Sequence, residues 1–131
     1  MNEEAAAKIV CLVDDDQSVL RSMRRLLASE GIETRGFNKP DEFLTHAAAH
    51  PVRVLVTDIW MKGVTGLEIL ARTCAMSPRP RAIVITARDD RAARTTALQI
   101  GPVAFLLKPF DDEPFLTAVH AALAQAAVVH S

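Results

Sequence analysis

The chain has 131 residues and carries 15 Lys and Arg against 16 Asp and Glu, a formal net charge of −1. Half of it is hydrophobic and 24% is charged, with only 5 Gly and 7 Pro. This excludes disordered, collagen-like and low-complexity chains and fits one domain burying roughly two-thirds of its unfolded surface. There is no global positive field to draw the chain onto nucleic acid or an anionic membrane, so neither is expected as a direct partner. The opening Met1-Asn2-Glu3-Glu4 is acidic where a secretory signal would be basic. No apolar stretch nears the ~18 residues that cross a bilayer, so the expected location is cytoplasmic. Cys11 and Cys74 lack metal or redox spacing and have apolar neighbours, so both are expected to be buried free thiols.

In chain order, the first apolar run is Ile9 to Val13, closed by Asp14-Asp15-Asp16. It is too short for a helix and rich in β-branched residues, which predicts a buried strand. Val19, Leu20, Met23, Leu26 and Leu27 then recur at helical spacing, leaving Arg21, Arg24 and Arg25 outward, and Glu30-Gly31 stops the helix. Ile32 to Phe37 contains Glu33, Thr34 and Arg35 and suits an edge strand. Asn38 with Asp41-Glu42 resembles a helix start before Phe43, Leu44 and Ala47, and His50-Pro51 ends that helix. Val52 to Thr57, ending at Asp58, reads as the third strand; Leu67, Leu70, Ala71 and Cys74 mark a third helix closed by Pro78 and Pro80. Ala82 to Ile85, ending at Thr86, is the fourth strand, followed by a helix with Ala93, Ala97 and Ile100 inward that stops at Gly101-Pro102. Val103 to Leu107, ending at Lys108, is the fifth; Asp112 caps the last helix, with Pro114 in its first turn and Phe115, Leu116, Val119 and Leu123 inward. Ala121 to Val129 reads as that helix fraying into a tail.

The pattern is (βα) repeated five times, an α/β chain. Strands joined by helices run parallel, with right-handed crossovers and helices on both faces of the sheet. Residues 1–131 are thus expected to form one domain with its core over about 8–125.

In an open parallel sheet, ligands bind at the carboxyl ends of the strands. The polar residues that close each strand all fall there. Neighbouring strands are ~4.8 Å apart, so with the first beside the third, Asp14, Asp15 and Asp58 crowd together. Such a cluster must share a proton or bind a cation. A donor set of oxygens alone, without Cys or His, suits Mg²⁺. Lys108 adds a fixed positive charge and Thr86 a hydroxyl that can donate to a phosphoryl oxygen, an arrangement suited to phosphoryl transfer.

Val13-Asp14-Asp15-Asp16, Asp58-Ile59-Trp60-Met61 with Gly66, Ile85-Thr86-Ala87 and Phe105-Leu106-Leu107-Lys108-Pro109-Phe110 together resemble the receiver domain of two-component response regulators. Lys108-Pro109-Phe110 with Phe105 before it is most similar to the FixJ branch. The resemblance implies a CheY-like, flavodoxin-like three-layer sandwich with strand order 2-1-3-4-5. It implies that Asp58 accepts a phosphoryl group from a sensor histidine kinase, and that Mg²⁺ is held by Asp14, Asp15, Asp58 and the backbone carbonyl of Trp60. It further implies that Lys108 pairs first with Asp58 and then with the phosphoryl group, and that the Lys108–Pro109 peptide is cis. Thr86 and Phe105 would form the switch, and the face made by the fourth helix, fifth strand and fifth helix would support a homodimer on phosphorylation. A DNA-binding portion outside these residues would carry the output in transcription.

Three positions depart from the usual pattern: Lys62 stands where proline commonly follows the methionine and should loosen that turn, Trp60 is bulky and should screen attacking water, and Pro102 stiffens entry to the last strand. Asp14 to Asp16 could instead cap the first helix. The two arginine clusters, Arg21, Arg24 and Arg25 and then Arg88, Arg91 and Arg94, read as solvated faces. His46, His50, His120 and His130 fit no ligand spacing. The competing function is a Mg²⁺-dependent phosphohydrolase with an aspartyl nucleophile. Such hydrolases commonly carry an Asp two residues beyond the nucleophile, where this chain has Trp60. Intrinsic self-phosphorylation and slow dephosphorylation are expected, without multiple-turnover enzyme activity.

Overall fold

The structure is a computed structural model that describes residues 8–128. It alternates β1 (Ile9–Val13), α1 (Gln17–Ser29), β2 (Glu33–Phe37), α2 (Pro40–Ala49), β3 (Val54–Asp58), α3 (Gly66–Thr73), β4 (Arg81–Thr86), α4 (Arg91–Ile100), β5 (Ala104–Leu107) and α5 (Asp112–Val128). The five strands form one sheet in the order β2-β1-β3-β4-β5, all paired in parallel. This is the predicted doubly wound α/β sandwich.

Strand alternation sends successive side chains to opposite faces. Val10, Leu12, Val54, Val56, Ile83 and Ile85 pack under α1 and α5. Cys11, Val13, Leu55, Ala82 and Val84 pack under α2, α3 and α4. The central strands are buried on both faces, which explains their nearly unbroken apolar runs. At the edge, β2 keeps Glu33, Arg35 and Gly36 exposed. Along α5 the buried stripe Phe115, Ala118, Val119, Ala122 and Ala126 uses small residues to bring the helix close to the sheet.

Several boundaries differ from expectation. β3 begins at Val54 rather than Val52, although the Arg53 carbonyl still accepts from the Arg81 amide at 2.7 Å; the Arg53 side chain reaches α5, where its Nη2 donates to the carbonyl oxygen of Ala126 at 3.0 Å. α2 takes Lys39 as its N-cap rather than Asn38, with no side-chain cap; Pro40 at the first helical position holds Lys39 extended. Asp112 lies inside the first turn of α5 rather than before it, and α5 stays helical through Val128; Val129 lies outside the described residues. The inward stripe of α3 is Gly66, Ile69, Leu70 and Thr73, so Ala71 and Cys74 face solvent. Cys74 is therefore an exposed thiol, contrary to the sequence reading, whereas Cys11 is buried and its thiol is pushed up to about 11 by burial. No helix among the described residues is long and apolar enough to cross a membrane.

Candidate functional site

The carboxyl ends of β1 and β3 lie side by side, with Val13 paired to Thr57. This places Asp14, just past β1, next to Asp58, the last residue of β3. Of the three consecutive aspartates, Asp16 alone caps α1, accepting from the amides of Ser18 at 2.9 Å and Val19 at 3.3 Å. Asp14 and Asp15 remain for other work. Asp14 is fully buried; its Oδ1 accepts from the Asp16 amide at 2.9 Å and its Oδ2 from Lys108 Nζ at 2.8 Å. Exposed Asp15 accepts from the backbone N–H of Lys62 at 3.2 Å.

Asp58 is buried and its Oδ1 accepts from the Ile59 amide at 2.8 Å. Burial raises its carboxyl above the ordinary aspartate value and the neighbouring Asp14 charge adds to the rise, while Lys108 and the backbone amides of Ile59 and Trp60 oppose it. Lys108 Nζ stands 3.5 Å from Asp58 Oδ2, farther than from Asp14. The ammonium group is thus shared, with Asp14 as the nearer partner. The Lys108–Pro109 peptide is cis, as is Ser77–Pro78.

Asp14, Asp15 and Asp58 each offer a carboxylate oxygen within 4.8 Å of the others. Three such oxygens, two of them on buried residues, form the hard donor set that suits Mg²⁺. Asp14, Asp15 and Asp58 are the side chains that would hold it.

Gly66 closes the loop beneath the cluster. Its amide donates to the Ile59 carbonyl at 2.9 Å, and a Cβ here would lie 1.9 Å from the backbone oxygen of Asp58. Only glycine permits that approach. The Thr65 hydroxyl accepts from the Glu68 amide at 3.3 Å and starts α3 immediately beyond the loop.

Thr86, the last residue of β4, is fully buried, and its hydroxyl lies 3.2 Å from both the N–H and the carbonyl of Arg88. Its own carbonyl accepts from the Lys108 amide at 2.7 Å. Phe105 in β5 pairs with Val84 and is half-buried, with the Arg94 guanidinium 5.5 Å from its ring centroid.

The family model described as the response regulator receiver domain matches residues 10–120. This chain belongs to the response regulator receiver family. It is 34% identical over 118 residues to the transcriptional regulatory protein FixJ of Azorhizobium caulinodans, covering 90% of this chain and 56% of that protein. The chain thus spans about half the length of that relative. Among solved structures, a response regulator receiver protein from Burkholderia phymatum is 40% identical with a TM-score of 0.78, covering 88% of this chain and 94% of that one. The beryllofluoride-activated NtrC4 receiver domain, described as a dimer, is 28% identical with a TM-score of 0.84, covering 91% and 98%.

Two features of this receiver domain escape a reading of its sequence. Arg88, expected on a solvated face, places its guanidinium 4.5 Å from the centroid of the Trp60 ring. Trp60 Nε1 is buried without a hydrogen-bond partner among the described residues. Lys62, expected to loosen its turn, instead pins it to Asp15 through an N–H that proline would lack. The pairing of Arg88 with Trp60 joins loops after different strands, and no spacing rule signals it.

Proposed function

We propose that Asp58 is the phosphoacceptor of a two-component relay. The observation that carries this reading is the convergence of Asp14, Asp15 and Asp58 oxygens within 4.8 Å, with Lys108 Nζ 2.8 Å from Asp14 and 3.5 Å from Asp58. An Asp58 carboxylate oxygen attacks the phosphorus of a sensor kinase phosphohistidine. The P–O bond forms as the P–N bond breaks, and the electron pair returns to the imidazole nitrogen. Asp14, Asp15, Asp58 and the Trp60 carbonyl would hold Mg²⁺, which when bound would supply positive charge opposite the transferred oxygens.

Lys108 then turns from the carboxylates to the phosphoryl group, whose charge of up to about −2 outweighs theirs. The Thr86 hydroxyl donates to a phosphoryl oxygen. To do so it leaves the Arg88 carbonyl that now accepts from it, so the loop from β4 into α4 shifts. Phe105 turns inward, breaking its contact with Arg94. Two large hydrophobic side chains among the described residues are exposed, Leu98 on α4 and Leu107 in β5. Both belong to elements of the α4, β5 and α5 face that would support a homodimer, and the similarity to FixJ supports an output in transcription through a DNA-binding portion outside these residues.

Incubation with acetyl phosphate and Mg²⁺, read by intact mass and peptide mapping, tests the acceptor. One phosphoryl group is expected on the peptide containing Asp58, and none in Asp58→Asn. A phosphorylated Asp58→Asn chain would overturn the assignment. Thr86→Ala is expected to keep the adduct and lose the accompanying change in sedimentation.

A further inference from the structure

The face of the sheet beneath α2 is not packed along its whole length. Near the ends of β1 and β3 remote from Asp58, a cavity of about 510 Å³ opens between β2 and α2. Ile9, Cys11 and Val52, all nearly buried, line its base, while Arg35, His46 and His50 stand more exposed around it; among the described residues no acidic one lines it. Cys11, the lining residue of β1 nearest Asp14, lies three residues before it, about 10 Å at the rise of an extended strand, and its side chain faces the α2 layer. The cavity is therefore separate from the phosphoacceptor cluster.

The residues around it are placed by the fold. Arg35 is the register partner of Cys11 and shares the parity of Phe37, so it occupies a sheet position where the α2 layer would otherwise continue its core. Arg35 makes no ion pair with any described residue. The His46 ring is fixed from two sides, tilted against Phe37 at 5.2 Å and stacked on His50 at 4.6 Å between centroids. His50 Nδ1 lies 3.3 Å from the His46 carbonyl, which holds the second ring in the stack. Burial, then His50 and Arg35, keep His46 below the ordinary histidine value. Positive charge on the rim works against a bound cation and for an anion.

We infer that this cavity binds a small organic anion, its carboxylate held by the Arg35 guanidinium and the His46 imidazole and its apolar body against Ile9, Cys11 and Val52. A guanidinium matches a carboxylate with two parallel hydrogen bonds, and the volume lies in the range of small-molecule sites.

Amide chemical shifts of the full chain, titrated separately with benzoate, benzyl alcohol, inorganic phosphate and Zn²⁺, test this. Benzoate is expected to give saturable shifts confined to residues around Ile9, Arg35 and His46 to Val52. Benzyl alcohol and phosphate are each expected to bind roughly tenfold more weakly, since each lacks one half of the recognition. Arg35→Gln is expected to weaken benzoate roughly tenfold with an unchanged unfolding temperature, and His46→Gln to weaken it less. Failure of benzoate to saturate, equal binding of benzyl alcohol or phosphate, tighter saturation of the same amides by Zn²⁺, or an unaffected Arg35→Gln chain would each overturn the proposal.

Discussion

The backbone N–H of Lys62 donates to Asp15 Oδ2 across 3.2 Å, joining the loop after β3 to the loop after β1. A proline at this position could not make that bond. Lys62→Pro is therefore expected to release Asp15 and weaken Mg²⁺ binding about three- to tenfold, the worth of one hydrogen bond to a charged group in an exposed setting. Fluorescence of Trp60, the chain's one tryptophan, followed during Mg²⁺ titration, checks this. Unchanged affinity would show that the bond does not order Asp15.

Asp58 gives a pH signature. Its folded carboxyl holds a proton more tightly than an unfolded one of ordinary value 3.8, mainly through burial. Between that value and the raised folded one, the native chain binds more protons than the unfolded chain, so stability falls as pH rises through this window and stays lower above it. Without metal, Asp58→Asn is expected to raise the unfolding midpoint at neutral pH by a few degrees, on the order of 1 kcal/mol. The gain should vanish below about pH 3.8. Added Mg²⁺ should stabilise the wild-type chain by mass action and the variant much less. A midpoint lowered by the substitution at neutral pH would contradict the burial argument.

The Arg88 guanidinium stands 4.5 Å from the ring centroid of Trp60, which lies two residues along the chain from Asp58, the proposed acceptor, where the pair would act as a cover. Such a contact is worth about 0.5–1 kcal/mol, so its loss opens the cover about two- to fivefold more often. Arg88→Ala is expected to shorten the lifetime of the aspartyl phosphate by a similar factor, and Trp60→Ala by more. Loss of the phosphoryl group after removal of the donor, followed by intact mass, measures this. Lifetimes equal to wild type in both variants would remove the cover from the reaction.

Arg53 is almost wholly buried and spends Nη2 on the Ala126 carbonyl, while Nη1 has no partner among the described residues. The last turn of α5 carries no basic residue, so this charge comes from the sheet side. Arg53→Ala is expected to cost about 2–4 kcal/mol through the void it leaves, whereas Arg53→Met fills the volume, removes a desolvated charge and should cost about 1 kcal/mol or less. Both should speed amide exchange in the final turns of α5. Equal losses in the two denaturant curves would indicate that the charge, not the volume, is what α5 needs.

The five βα units are legible in the sequence because the central strands are buried on both faces. Ile9 to Val13 and Ala82 to Ile85 have no exposed side to interrupt the apolar run. The acidic cluster is legible because parallel strands place their ends at one rim, so Asp14 and Asp58 meet whatever the intervening loops do. The burial of Arg53 is not, because its guanidinium meets a carbonyl of α5 far along the chain. The exposure of Cys74 depends on the phase of α3, set by Gly66 pressed against the Asp58 backbone rather than by hydrophobic spacing. The preference of Lys108 for Asp14 over Asp58 is a matter of tenths of an ångström among three charged groups and leaves no trace in residue order.

The 2.7 Å bond from the Lys108 amide to the Thr86 carbonyl has a mechanical consequence. Two side chains suited to gripping the same incoming oxygens hang from backbone that is stitched together just behind them. A tug on either one is transmitted to the start of both α4 and α5, so the rim can behave as a single rocker arm rather than as two independent latches.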